Sequence, residues 1–268
     1  MVRKAIIPAA GYGTRSLPIT KAIPKEMFPL GFKPAIHYIV EEAANSGIEQ
    51  LLIITSKSKD MIIDYFDFSL ELDTFLKSQN KEHLVKKLAL PKVEIFYIRQ
   101  PYASGLGDAI RLGKEFVGNE PFGVLLPDDI IIPKHQPALK ELIDVHMDTE
   151  GSVIALKQVD QDCLKDYGVI QGNDSPNFIN IQDIVEKPLN NPPSNLAVVG
   201  RYIFTPAIFQ SLDTVEIGVG GEIQLTDAIK GLLASESVFG KVISGSRYDI
   251  GKLEEYVQLM NILSKDDY

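Results

Sequence analysis

Short apolar, β-branched runs recur along the first 157 residues, each followed by a stretch with helical spacing, and few folds accommodate that pattern. Residues 5–8, 50–55, 93–98, 122–126 and 152–157 have the length and composition of strands. Between them, residues 34–45, 107–116 and 136–147 place apolar side chains three and four positions apart, as one face of a helix requires. Residues 58–90 are charged and helical in pattern, and read as two helices. The helix at 34–45 should stop at Asn45-Ser46-Gly47, because glycine takes up the left-handed backbone that ends helices. Leu51-Leu52-Ile53-Ile54 is apolar at every position, as a strand covered on both faces must be.

Beyond residue 160 the texture changes. Predicted strands at 168–170, 181–186 and 198–204 are joined by polar turns, among them Asn190-Asn191-Pro192-Pro193, and helices at 226–234 and 252–263 close the chain. The expected class is α/β: a Rossmann-like, mostly parallel mixed sheet flanked by helices, with a smaller β-rich part. A single domain over residues 1–268 is expected, with residues 1–157 carrying the sheet and 158–268 the smaller part and the last helices.

The first strand runs directly into Ala9-Ala10-Gly11-Tyr12-Gly13-Thr14-Arg15 and on to Pro24-Lys25-Glu26. Glycines there let backbone N–H groups approach phosphate oxygens, and cations neutralise them. Over the first 40 residues Arg3, Lys4, Arg15, Lys21, Lys25 and Lys33 face one acid, Glu26, for a net of +5. The whole chain carries −9, so positive charge is concentrated where the glycines are. Such a loop at a strand's C-terminal end is suited to a polyphosphate.

Overall acidity argues against nucleic acid and against an anionic membrane surface as partners. No apolar run approaches the ~20 residues of a membrane span, and the N-terminus lacks an apolar signal core. Cys163 is the sole cysteine, so no internal disulfide is expected and the thiol reads as structural. The histidines His37, His83, His135 and His146 form no i,i+4 zinc pair. A cytoplasmic protein is expected.

Two familiar phosphate motifs fail. Gly11-x-Gly13-x-x-Ser16 lacks the third glycine of the dinucleotide fingerprint, and Thr55-Ser56-Lys57 stands where a ribose-binding acid belongs at the end of the second strand. The P-loop pattern fails because Ser16 follows Gly11 by five and no Gly-Lys-Ser/Thr comes after it.

The stretch from Pro8 to Arg15 with Pro24-Lys25-Glu26-Met27 resembles the signature of the sugar-1-phosphate nucleotidylyltransferase family. Thr20-Lys21-Ala22-Ile23-Pro24-Lys25-Glu26-Met27-Phe28-Pro29-Leu30 is similar to its bacterial UTP–glucose-1-phosphate branch. Further stretches match in order: Arg99-Gln100 with Gly105 to Ala109, Leu126-Pro127-Asp128, Tyr167-Gly168-Val169, Val185 to Pro188, Ser194 to Tyr202, Gly221 to Ile229, and Arg247-Tyr248-Asp249-Ile250-Gly251. The resemblance covers nearly the whole chain. It implies attack by glucose 1-phosphate on the α-phosphorus of UTP with Mg²⁺ as cofactor, giving UDP-glucose and pyrophosphate. It also implies a homo-oligomer, dimer or tetramer, and makes 1–157 the nucleotide-binding part and 158–268 the sugar-binding part. The same chemistry on another sugar 1-phosphate or on dTTP, or a silent regulatory subunit that only binds sugar nucleotide, are the alternatives.

A phosphate monoester has a second pKa of about 6 and needs no general base at neutral pH. Catalysis should then come from cations and positioning, roles suited to Arg15 and Lys25. Lys21 is evenly balanced against a solvated surface charge. Asp128 follows an apolar strand to the sheet edge where ligands bind in open α/β folds, and can hold Mg²⁺. The resemblance supplies Asp249 as the second metal ligand. Asp129 reads as a cap or turn residue, since neighbouring strand residues face opposite ways. For the nucleotide, the loop residues Ala9, Ala10, Gly11, Gly13 and Thr14 are candidates; the resemblance places Gln100 and Gly105 against the base, where a carboxamide can match uracil's N3–H and carbonyls. It also places Gly168, Glu186 and Lys187 at the sugar, with Asn195 and Gly200 as weaker candidates. Departures from the pattern are Phe32, His37 and the run Lys252 to Tyr256, none of them a proposed metal or phosphate ligand.

Overall fold

In the computed structural model, which describes residues 1–216, 218 and 221–266, the apolar run after Arg3 becomes strand β1 (Lys4–Pro8), inside a nine-stranded sheet. A hairpin of β2 (Pro29–Leu30) and β3 (Lys33–Pro34) leads to α1 (Ala35–Asn45), and β4 (Gln50–Thr55) returns parallel to β1, with Lys4 opposite Gln50 and Pro8 opposite Ile54. Residues 58–90 hold more breaks than their spacing suggests. They form α2 (Asp60–Phe66), α3 (Leu70–Ser78), α4 (Glu82–Val85) and a 3-10 turn. Extended backbone at Asp67 and left-handed backbone at Asn80 (φ 54) interrupt the helical run.

Strand β5 (Glu94–Arg99) pairs parallel with β4. The single helix expected at 107–116 is two, α5 (Leu106–Arg111) and α6 (Lys114–Val117). They divide at Gly113, where a Cβ would run into the side chain of Ile6, so the glycine lets the chain settle onto β1. Strand β6 (Phe122–Leu125) is parallel to β1, and β7 (Asp129–Ile132) turns out of the main sheet. Then come α7 (Ala138–Thr149), β8 (Ser152–Gln158), the antiparallel hairpin of β9 (Gly168–Asp174) and β10 (Ile179–Glu186), and β11 (Leu196–Phe204). The chain finishes with α8 (Ala207–Thr214), α9 (Leu225–Leu232), β12 (Val238–Val242), β13 (Ser246–Asp249) and α10 (Leu253–Asp266). Helix α8 and strands β7, β12 and β13 escape the sequence analysis. The strands are four or five residues long, and glycine or charge interrupts β12 and β13.

The sheet order is β5-β4-β1-β6-β11-β8-β12-β10-β9. Strands β5, β4, β1 and β6 run parallel, and β11 lies antiparallel between β6 and β8. This is the α/β fold with helices on both faces. Alternation along the strands divides the core in two. Ala5, Ile7, Leu51 and Ile53 pack on the α1 and α7 side, whereas Ile6, Leu52, Ile54 and Val124 pack on the α5, α8 and α9 side. The doubly apolar run of β4 is therefore covered on both faces. Full burial of each such side chain is worth about 1.5–3 kcal/mol relative to exposure.

Because four neighbouring strands are parallel, their C-terminal ends share one edge. The turn after β1, Gln100 after β5 and Leu126-Pro127-Asp128 after β6 meet there. No helix of the described residues is long and apolar enough to cross a membrane.

Candidate active site

Two cavities open along that edge. One of about 330 Å³ is walled by the turn after β1 (Ala10, Gly11, Gly13 and Thr14 among its residues), by Lys25, and by Gln100 and Gly105. The other, about 640 Å³, is walled by Arg15, Gly168, Glu186, Lys187, Thr226 and Asp249, among others. Asp128 lines both.

The turn takes its shape from Gly13, which has φ 66, and from Thr20, whose hydroxyl donates to the Gly13 carbonyl at 3.0 Å. Lys25 sits in a 3-10 turn (Lys25–Met27) behind it. Its Nζ donates to Asp128 Oδ2 at 2.6 Å. Arg15 stands between the two acids, donating from Nη1 to Asp249 Oδ2 at 3.1 Å and from Nη2 to Asp128 Oδ2 at 3.5 Å. Burial alone would push the Asp128 carboxyl up, but Lys25 and then Arg15 carry it below the usual carboxylate range. Burial disfavours the Lys25 ammonium in turn, and Asp128 and Glu26 more than reverse this, so it lies above the ordinary lysine value. Both groups are charged at neutral pH.

Asp249 ends β13, opposite Asp129 in the short β13–β7 pairing. Its Oδ1 accepts from the Gly251 N–H at 2.8 Å, its own N–H donates to Glu255 at 2.7 Å, and the Ile250 N–H donates to the Asp128 carbonyl at 2.9 Å. The two acidic segments are thus stitched together through their backbones. Asp129 caps no helix but closes the turn from Leu126, its N–H donating to the Leu126 carbonyl at 3.4 Å. It begins β7, accepts from the Gly200 N–H at 2.8 Å and pairs with the buried Arg247, which also donates to the Tyr167 hydroxyl at 2.8 Å.

In the smaller cavity, Gln100 is buried and its Nε2 donates to Asp108 at 2.8 Å and to the Gly105 carbonyl at 3.4 Å. The donor half of the amide is therefore already engaged. Gly105 has φ 99, and a Cβ there would stand 2.8 Å from the Ile223 carbonyl, so only glycine fits. Ala9 does not reach the cavity: its N–H donates to the Ile54 carbonyl and its carbonyl accepts from Lys59, both at 2.7 Å. Lys21 is exposed and lines neither cavity.

In the larger cavity, Glu186 Oε2 accepts from the Thr226 hydroxyl at 2.6 Å, and Oε1 lies 3.2 Å from Lys187 Nζ. Lys187 has φ 45, a conformation that costs a non-glycine residue energy and is concentrated at functional sites. Gly168 lies opposite Glu186 in the β9–β10 hairpin, and a Cβ there would project to 3.5 Å from Glu186 Oε2. Gly200 lines this cavity and Asn195 does not. Sequence reasoning missed Thr226 and Arg247 as site residues, since each acts on a partner 40 or more positions away.

A glycine turn at a strand end, with cations beside it and acids over the same edge, defines a nucleotide-binding α/β protein. The chain belongs to the nucleotidyl transferase family, whose pattern matches residues 4–266. A Bacillus subtilis (strain 168) protein named UTP–glucose-1-phosphate uridylyltransferase is 48% identical over 255 residues, covering 94% of this chain and 87% of its own length. Among solved structures, an apo UDP-glucose pyrophosphorylase is similar with a TM-score of 0.94 at 41% identity, covering 100% of both chains. A UDP-glucose pyrophosphorylase complexed with UDP-glucose gives 0.88 at 41% identity, covering 99% of this chain and 100% of that one.

Proposed function

We propose that the protein is a UTP–glucose-1-phosphate uridylyltransferase that forms UDP-glucose and pyrophosphate. The observation that carries this is the position of Asp128, which lines both cavities and meets Lys25. A nucleotide in the smaller cavity and a sugar phosphate in the larger one would bring their phosphates together there. The names of the related proteins supply the substrates: UTP and glucose 1-phosphate.

Asp128 and Asp249 suit Mg²⁺. Both are hard oxygen donors, and they approach the Arg15 guanidinium from two sides, so a cation already stands between them. When bound, Mg²⁺ would neutralise charge shared between phosphate oxygens. The residues of the chain do the rest. Backbone groups of the turn from Ala10 to Thr14 receive the triphosphate. Lys25 and Arg15 offset the charge that builds on the leaving pyrophosphate. Gln100, with its nitrogen engaged, presents its oxygen to the N3–H of uracil. Glu186, steadied by Thr226, accepts from sugar hydroxyls, and Lys187 beside it pairs with the sugar phosphate. The phosphate of glucose 1-phosphate attacks the α-phosphorus in line as pyrophosphate leaves, and no side chain has to remove a proton.

Phe68, Leu70 and Phe75 stand exposed on the α2–α3 excursion and support self-association through that segment. Light scattering on the Phe68→Glu/Phe75→Glu variant should show a smaller particle than wild type; an unchanged mass rules the segment out.

A pyrophosphate-release assay that crosses UTP, dTTP, CTP and ATP with several sugar 1-phosphates, with and without Mg²⁺, tests the function. The expected preference is for UTP with glucose 1-phosphate and Mg²⁺. Equal or greater turnover of another pair would reassign the substrate.

A further inference from the structure

We propose that Lys59 is a positioning residue for this reaction, acting through Glu26 and the Ala9 carbonyl on Lys25 and the glycine turn. The inference rests on the function proposed above. Lys59 immediately precedes α2 and lines neither cavity. Its ammonium donates to the Ala9 carbonyl at 2.7 Å and to the two Glu26 carboxylate oxygens at 2.9 and 2.8 Å. All three donors of the group are therefore used. Both side chains are buried, 6% exposed for Lys59 and 0% for Glu26.

What the ammonium grips matters more than the pair itself. Ala9 lies just before the glycine turn, and its N–H is fixed as well, on the Ile54 carbonyl at 2.7 Å. Glu26 directly follows Lys25, whose Nζ meets Asp128. One buried cation thus ties the end of β1, the phosphate-facing turn and the turn bearing Lys25 to the connection between β4 and α2. A buried ion pair is often no more stabilising than apolar side chains of similar volume. Burial also pulls Lys59 below its ordinary value in spite of Glu26. The pair supplies geometry, because Lys25 must stand where charge develops and a misplacement of about 1 Å can cost about 10²-fold in rate.

The test is steady-state kinetics of UDP-glucose formation by the full chain, wild type against Glu26→Gln/Lys59→Met. The double variant is chosen because a single substitution strands one buried charge and is strongly destabilising by itself. The double variant should melt close to wild type and keep its KM for both substrates, while kcat falls about 10²-fold. A wild-type kcat overturns the inference alone. So does a variant that fails to fold, or one whose KM and stability worsen together with kcat, since either makes the pair a structural element. A wild-type protein without activity overturns the proposed function and this inference with it.

Discussion

Arg15 and Asp249 lie 234 positions apart in the chain, and their side chains meet at 3.1 Å. Arg15 comes from the turn after the first strand and Asp249 from the end of the last one. The contact closes the site around Asp128, which the same guanidinium reaches at 3.5 Å.

Lys25→Ala removes the cation nearest Asp128. It should lower kcat by about 10²–10³-fold, the usual cost of losing one donor aimed at developing charge. The fold should persist, since Lys25 anchors no core residue. Pyrophosphate release and thermal melting check the two halves. Chelation of divalent cations should stop the wild-type reaction, and added Mg²⁺ should restore it.

Gly105→Ala meets two obstacles: φ 99 and the Ile223 carbonyl at 2.8 Å. It should destabilise the protein by about 1–3 kcal/mol and raise the KM for UTP more than that for glucose 1-phosphate. Urea denaturation and the two KM values measure this.

Arg201 is fully buried and uses its guanidinium completely. It donates to both Glu42 oxygens at 3.0 and 2.7 Å, and to the Leu126, Gly200 and Asp129 carbonyls at 3.2, 2.8 and 2.8 Å. Helix α1 is thereby fastened to the segment that bears Asp128. Arg201→Met leaves the Glu42 carboxylate, 9% exposed, without its cation and with only the Leu139 N–H as donor, and should cost about 3–5 kcal/mol in urea denaturation.

His37 is buried against the Tyr65 hydroxyl, 2.9 Å from its Nδ1. Burial, and then Lys33, push its pKa below the ordinary histidine value. The unfolded chain takes up a proton near pH 6.5 that the folded protein still refuses. Stability is therefore complete above about pH 6.5 and declines as the pH falls toward the folded value. The melting temperature of wild type should drop more steeply on acidification than that of His37→Gln; parallel profiles would show that this group is not responsible.

The glycine turn, Lys25 and Asp128 were legible because their signals are local: glycine beside charge after a strand, and an acid at a strand end. Asp249 and Glu186, which both line the larger cavity, were candidates through family resemblance alone, since nothing adjacent in the sequence singles out either acid. Asp129 closes a turn, one of the two roles its sequence context allows, but its carboxylate's partners were not legible, because they are Arg247, 118 positions on, and the Gly200 N–H. Lys59 passed unnoticed for the same reason, its meaning residing in Glu26, 33 positions earlier. Burial of β4 on both faces followed from its unbroken apolar run, whereas α8 and the short strands β12 and β13 depend on neighbours that only the folded sheet supplies.

The most direct measurement is phosphorus NMR of UTP, glucose 1-phosphate and Mg²⁺ with the wild-type protein. Attack at the α-phosphorus predicts UDP-glucose and pyrophosphate in equal amounts. Appearance of UMP or of UDP with a sugar bisphosphate, or no change in the spectrum, would contradict the account.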